Sequence, residues 1–186
     1  MREIFLSASV PNPDNPNFET EGNPTLIHAA VRELVYLILG NDDLRLVWGG
    51  HPAITPMILQ FCQSLGVDDG KKVTLYQSKF FGGAMPPENE RFKDVVLVDP
   101  VDQSREDSLT AMRVAMLGRP DLDSAVFIGG MKGLYQEYAL FRELHPDGRA
   151  VFVASTGGVA GTLAKDFGYE AGNTLDFGRL YRKALL

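Results

Sequence analysis

Three glycine pairs stand directly after β-type apolar runs and before helical stretches: Trp48-Gly49-Gly50-His51, Ile128-Gly129-Gly130-Met131 and Ser155-Thr156-Gly157-Gly158. Glycine at a strand-to-helix junction lets backbone N–H groups approach an anion, and the helix start adds partial positive charge. Phosphate recognition is the chemistry such junctions can do; tight turns are the plainer use of the same residues. Three pairs at one edge favour a phosphate-bearing ligand. The hydroxyls of Ser7, Ser9, Ser155 and Thr156 could complement the backbone donors around phosphate or ribose, although isolated hydroxyl residues also form turns and caps. His51, between Gly50 and Pro52, points toward the same edge and could hydrogen-bond a phosphate or act as an acid. Glycine in Gly-x-Gly-x-x-Gly order is absent after the first strand, where Ser7-Ala8-Ser9 stands, and no Gly-x-x-x-x-Gly-Lys-Ser/Thr occurs.

The elements that must position these residues alternate. Apolar runs at Ile4–Ser9, Leu44–Trp48, Lys72–Gln77, Asp94–Val98, Ala125–Ile128 and Ala150–Ala154 predict strands. Val73–Tyr76, Val95–Val98 and Ala125–Ile128 read as strands buried on both faces, the mark of a parallel sheet covered by helices on each side. Asn23-Pro24 opens a helix that runs through Ile27, Val31, Leu34, Val35 and Ile38 to Gly40. Thr55-Pro56 opens a second, ending at Gly66, and Ser104 or Asp107 caps a third, ending at Gly118. A fourth follows Gly129-Gly130 and a fifth follows Gly157-Gly158. The pattern predicts a three-layer α/β sandwich, a mostly parallel Rossmann-like sheet with helices on both faces. A proline- and asparagine-rich loop spans 10–23, and a second loop spans 80–92 with Gly82-Gly83 and Pro86-Pro87. The C-terminal stretch, about residues 169–186, is expected to pack on the core or to make an oligomer contact.

Composition bounds the possibilities. The 186 residues predict one domain, and 19 glycines are a slight surplus. A net charge of −6 without a Lys/Arg cluster lacks the footprint of a duplex-binding protein. No apolar run is long enough for a membrane-spanning helix, and no secretory leader is expected. A cytoplasmic location follows as the expectation. Cys62, the one cysteine, lies in the apolar pattern Met57, Ile58, Phe61, Leu65 and reads as a small core residue. Three scattered histidines and one cysteine make no metal site, and no cofactor is expected. Asp99, Asp102, Glu106 and Asp107 read as a solvated loop and helix start.

The arrangement resembles the SLOG superfamily, a Rossmann-like group. It contains the Lonely Guy phosphoribohydrolases and the nucleotide-sensing domains of TRPM channels and bacterial Thoeris antiviral defence effectors. The residues that carry the likeness are Ile4–Ser9, Leu46-Val47-Trp48-Gly49-Gly50, and Arg113 followed by Ala125–Gly133 and Glu137. The hydrolases carry Pro-Gly-Gly-x-Gly-Thr-x-x-Glu with an essential arginine on the preceding helix. Arg113 lies 129 − 113 = 16 residues before Gly129, a similar separation, and Glu137 matches the motif glutamate. Ile128 stands in place of the proline, one residue is added before Gly133, and Leu134 occupies the threonine position. On a continuous helix the added residue turns everything beyond it by about 100°. This variant is therefore more similar to the sensing branch than to the hydrolases.

The resemblance implies two kinds of chemistry at one sheet edge. In the binding reading, the glycine junctions with Met131 and Gly133 hold phosphates, Arg113 neutralises one, and Glu137 accepts from ribose hydroxyls. Phe81 or Tyr135 could stack on a base. The ligand would be NAD, ADP-ribose or a relative, and a homo-oligomer (dimer or tetramer) or a separate effector protein would supply the output. In the alternative reading, Arg113 and Glu137 are the catalytic pair of a nucleoside 5′-monophosphate phosphoribohydrolase or related nucleotide N-glycosidase. A carboxylate there could stabilise the oxocarbenium-like centre.

Overall fold

Asn23 stops the long first loop by capping a helix: its side chain accepts from the Leu26 N–H, and Pro24 occupies the first helical position. The computed structural model describes residues 1–84 and 87–186. In chain order the elements are β1 (Arg2–Ser9), α1 (Pro24–Leu39), β2 (Leu44–Trp48), α2 (Thr55–Ser64), α3 (Asp69–Lys72) and β3 (Val73–Ser78). There follow β4 (Val95–Val98), α4 (Arg105–Leu117), β5 (Leu122–Gly129), α5 (Gly133–Leu144), β6 (Arg149–Val153), α6 (Gly158–Asp166) and α7 (Phe177–Leu185). The short α3 has no counterpart among the elements expected from the sequence. The loop foreseen over 80–92 contains 3-10 turns at Lys79–Ala84 and Pro87–Arg91, while Pro86 of its proline pair lies outside the described residues.

The named strands pair in parallel, in the order β4-β3-β2-β1-β5-β6. The chain winds outward from β1 to β4, then returns to the other side of β1 with β5. The carboxyl ends of β1 and β5 therefore flank a topological switch point, where open α/β sheets bind ligands. Register places Leu6 between Trp48 and Val126, and Ser9 beside Gly129.

Strand alternation sorts the core into two halves. Ile4, Leu6, Val126 and Ile128 pack with α1, α2 and α7, whereas Phe5, Ala125 and Phe127 pack with α4, α5 and α6. Helices thus cover both faces of the sheet. Within the first half α7 lies on α1, with Phe177, Leu180, Tyr181 and Leu185 buried and the Tyr181 hydroxyl donating to the Ala30 carbonyl at 3.1 Å. Cys62 is buried there too, and burial pushes its thiol up to about 11, which suits a core side chain rather than a nucleophile. The expectation that Val95–Val98 is buried on both faces is corrected. β4 is an edge strand with β3 as its one neighbour, and Leu97 is 50% exposed.

Candidate functional site

A cleft of about 470 Å³ opens at the carboxyl ends of β1, β2 and β3, with α4 and α5 as its far wall. β1 brings Ser7 and Ser9 to it, the turn after β2 brings Gly49, Gly50 and His51, and the start of α5 brings Met131 and Gly133. Arg113 and Glu137 reach it from α4 and α5. Arg113 carries its charge deep into the cleft wall and is only 9% exposed.

Arg113 owes its position to helix packing. Ser104 caps α4 by accepting from the Asp107 N–H at 3.2 Å. Met112, Met116 and Leu117 seat that helix in the second half of the core, which carries Arg113 between α4 and α5. Its Nε lies 3.5 Å from Glu137 Oε1 and its Nη1 3.9 Å from Glu106 Oε1. These are charge contacts too long or misaligned for hydrogen bonds, and both nitrogens are buried without a hydrogen-bond partner among the described residues. Glu137 accepts from the Ser7 hydroxyl through its other oxygen. Burial raises the Glu137 carboxyl above the ordinary range, against the opposing pull of Ser7 and Arg113.

The added residue ahead of Gly133 does not turn Glu137 away. It is taken up before α5 begins, in a turn where Gly129 and Gly130 adopt φ of 59° and 88°. The amides of Met131 and Gly133, at the start of this 12-residue helix, donate to no described residue. His51 is committed in part: its N–H donates to Thr55 Oγ1 at 2.9 Å, and its Nδ1 accepts from the Ala53 N–H at 3.2 Å. Burial lowers its pKa, which favours the neutral imidazole.

The other two glycine junctions are placed differently. The Gly129 N–H donates to Thr156 Oγ1 at 2.9 Å and the Gly130 N–H to the Ser9 carbonyl at 2.9 Å. Gly157 donates to Ala154, Gly158 donates to the Glu21 carbonyl at 2.7 Å, and Val159 donates to Gly130 at 3.1 Å. Thr156 and Ser155 spend their hydroxyl protons on the Val153 and Thr174 carbonyls. Gly129, Gly130, Thr156, Gly157 and Gly158 therefore knit the end of β1 and the long first loop to the β5 and β6 turns. Ser155 ties the β6 turn to the segment before α7, and none of the six lines the cleft.

The structure also adds residues to the site. Gln77 and Ser78 end β3 at the same edge, so the logic applied to the glycine junctions could have found them. Asn15 and Asn17 come from the first loop, and Asn89 from the Pro87–Arg91 turn; no sequence signal marks them. Phe81 lines the cleft, whereas the Tyr135 hydroxyl is turned to Glu19 at 3.2 Å. Among the described residues no helix is long and apolar enough to cross a membrane.

A model of the SLOG cluster3 family matches residues 17–185. No curated protein and no solved structure matches.

Proposed function

From the premise that this chain belongs to the SLOG cluster3 family, which suggests a nucleotide-related function, we propose that the cleft binds a nucleotide of the NAD or ADP-ribose type. The observation that carries this reading is the buried Arg113 guanidinium, with Nε and Nη1 lacking hydrogen-bond partners among the described residues beside an open cleft. A buried charge without hydrogen-bond partners is costly, and an anionic ligand removes that cost. A phosphate between Arg113 and the Met131 and Gly133 amides receives charge-assisted bonds and the favourable end of the α5 dipole. The net charge of −6 repels anions at long range, so recognition rests on these local donors. A homo-oligomer or a separate effector protein would pass the bound state on.

Calorimetry with AMP, NAD and ADP-ribose tests the reading; saturable binding of at least one supports it, and binding of none overturns it. Gly133→Ala is a sharper probe. The new Cβ would stand 3.0 Å from Arg113 Nη2, crowding the guanidinium, while alanine suits a helix better than glycine. The expected result is an unchanged or slightly higher melting temperature with affinity reduced on the order of tenfold.

A second reading, nucleotide N-glycosidase, is favoured by one arrangement: Ser7, Glu137 and Arg113 meet in the cleft as a hydroxyl, a carboxylate and a cation. Glu137 would stabilise the oxocarbenium-like ribose while Arg113 holds the phosphate or the departing base. Release of free base from AMP or NAD, abolished by Glu137→Gln, supports turnover. Tight binding with the ligand unchanged rejects it. The same variant has a pH signature. Because burial raises the Glu137 carboxyl, its contribution to stability is favourable at low pH and is lost as pH rises through the raised value. Glu137→Gln is expected to melt above the wild type near pH 8 and alongside it below about pH 4.

A further inference from the structure

The two ends of the cleft offer different hydrogen-bonding groups. At the α4–α5 end stand the donors of Arg113 and the Met131 and Gly133 amides, beside the Glu137 carboxylate. At the β3 end stands Asn89, which is 3% exposed and lines the cleft, and whose Oδ1 is buried with no hydrogen-bond partner among the described residues. Folded proteins leave few buried acceptors unpaired, and the absence of a donor here calls for an explanation. Gln77 adds to the same character: its amide nitrogen donates to the Gly49 and Tyr76 carbonyls at 2.8 and 2.7 Å, so both of its hydrogens are spent. It can offer the cleft only its oxygen. Phe81 lines the same end, with the Arg105 guanidinium 5.8 Å from its ring centre, and supplies a planar surface for a base. β3 and β5 are three strand positions apart, a separation of about 14 Å at the usual spacing, which suits an extended nucleotide.

We propose that Asn89 is the base-reading residue of this cleft: its amide pairs with an exocyclic amine and the adjacent ring nitrogen, as on the N6/N7 edge of adenine. The inference rests on the nucleotide-binding reading and deepens it. Hypoxanthine presents two acceptors on that edge, so a buried acceptor opposite its oxygen is left facing lone pairs, and either orientation of the Asn89 amide satisfies only one of them.

The test compares AMP with IMP, and NAD with its hypoxanthine analogue, by calorimetry on the full chain. The wild type is expected to favour the adenine member by about 5- to 150-fold, the range of one bidentate asparagine–adenine pair. Asn89→Ala is expected to bring both members of each pair within about threefold of one another, chiefly by weakening the adenine member. Equal affinity for adenine and hypoxanthine ligands in the wild type overturns the proposal and leaves nucleotide binding standing; this arm needs no variant to fold. Retained preference in a folded Asn89→Ala also overturns it. Binding of none of the four overturns this proposal, and failure of ADP-ribose to bind as well overturns the parent reading with it.

Discussion

Arg113→Ala is expected to weaken nucleotide binding by two to three orders of magnitude while leaving the melting temperature unchanged or raised. The two effects separate because the guanidinium does so little for the protein itself. Nε and Nη1 make no hydrogen bond to any described residue, and the nearest carboxylate oxygens stand 3.5 and 3.9 Å away. Removing the side chain deletes two desolvated donors and opens a space that water reaches through the cleft. Against this stands a weakened counter-charge for Glu137, which is then held still further above its ordinary pKa. The ligand, by contrast, loses charge-assisted hydrogen bonds worth about 1.5–3 kcal/mol each, and about 1.4 kcal/mol is tenfold in affinity. Arg113→Lys should fall between, since an ammonium keeps the charge and loses the planar fork. Calorimetry and thermal unfolding on the same preparations check the pair of outcomes. Undiminished affinity in Arg113→Ala would reject the cleft as the nucleotide site.

How much of this was legible in the sequence depends on how local the signal is. Asn23-Pro24, Thr55-Pro56 and Ser104 each mark a helix start within a few residues, and those helices begin there. Strand positions were readable from short apolar runs. The edge position of β4 was not, because Val95–Val98 has the same composition whether one or two faces are covered. The function of a glycine pair is likewise non-local. All three pairs have the same strand-to-helix context, and what separates them is which partner each amide finds. Gly49 and Gly50 face the cleft, while the amides of the other two pairs meet Thr156, Ser9, Ala154 and Glu21, partners up to 137 residues away in the case of Gly158 (158 − 21). Arg113 and Glu137 were reached by family resemblance, because nothing in residues 105–117 or 133–144 alone distinguishes a buried arginine or glutamate from a solvated one. Asn89 lies still further from view, in the Pro87–Arg91 turn, whose burial depends on tertiary contacts and not on its own sequence.

The glycine junctions also carry a large expected effect on stability. Gly158→Ala should cost more than about 4 kcal/mol, lowering the melting temperature by roughly 10 °C or leaving the chain unfolded. A Cβ at this position would stand 2.5 Å from the Gly129 carbonyl carbon, 2.6 Å from its oxygen and 2.8 Å from the Gly130 oxygen. All three are backbone atoms that no rotamer change can move. The residue also has φ of +62°, where an L side chain adds strain of its own. Relief would require the β6–α6 turn to withdraw, which breaks the bonds from Gly158 to Glu21, from Val159 to Gly130 and from Gly129 to Thr156. Gly168→Ala isolates the two terms. Gly168 has φ of +60° and nothing within 4 Å of the place a methyl group would take, so its substitution carries the backbone strain alone, about 1–2 kcal/mol. Thermal unfolding of the two variants should therefore differ by the cost of the contact between turns. If Gly158→Ala instead melts near the wild type and fails to bind nucleotide, the third glycine pair touches the ligand after all. In that case the donors of the cleft extend past β5 to the start of α6.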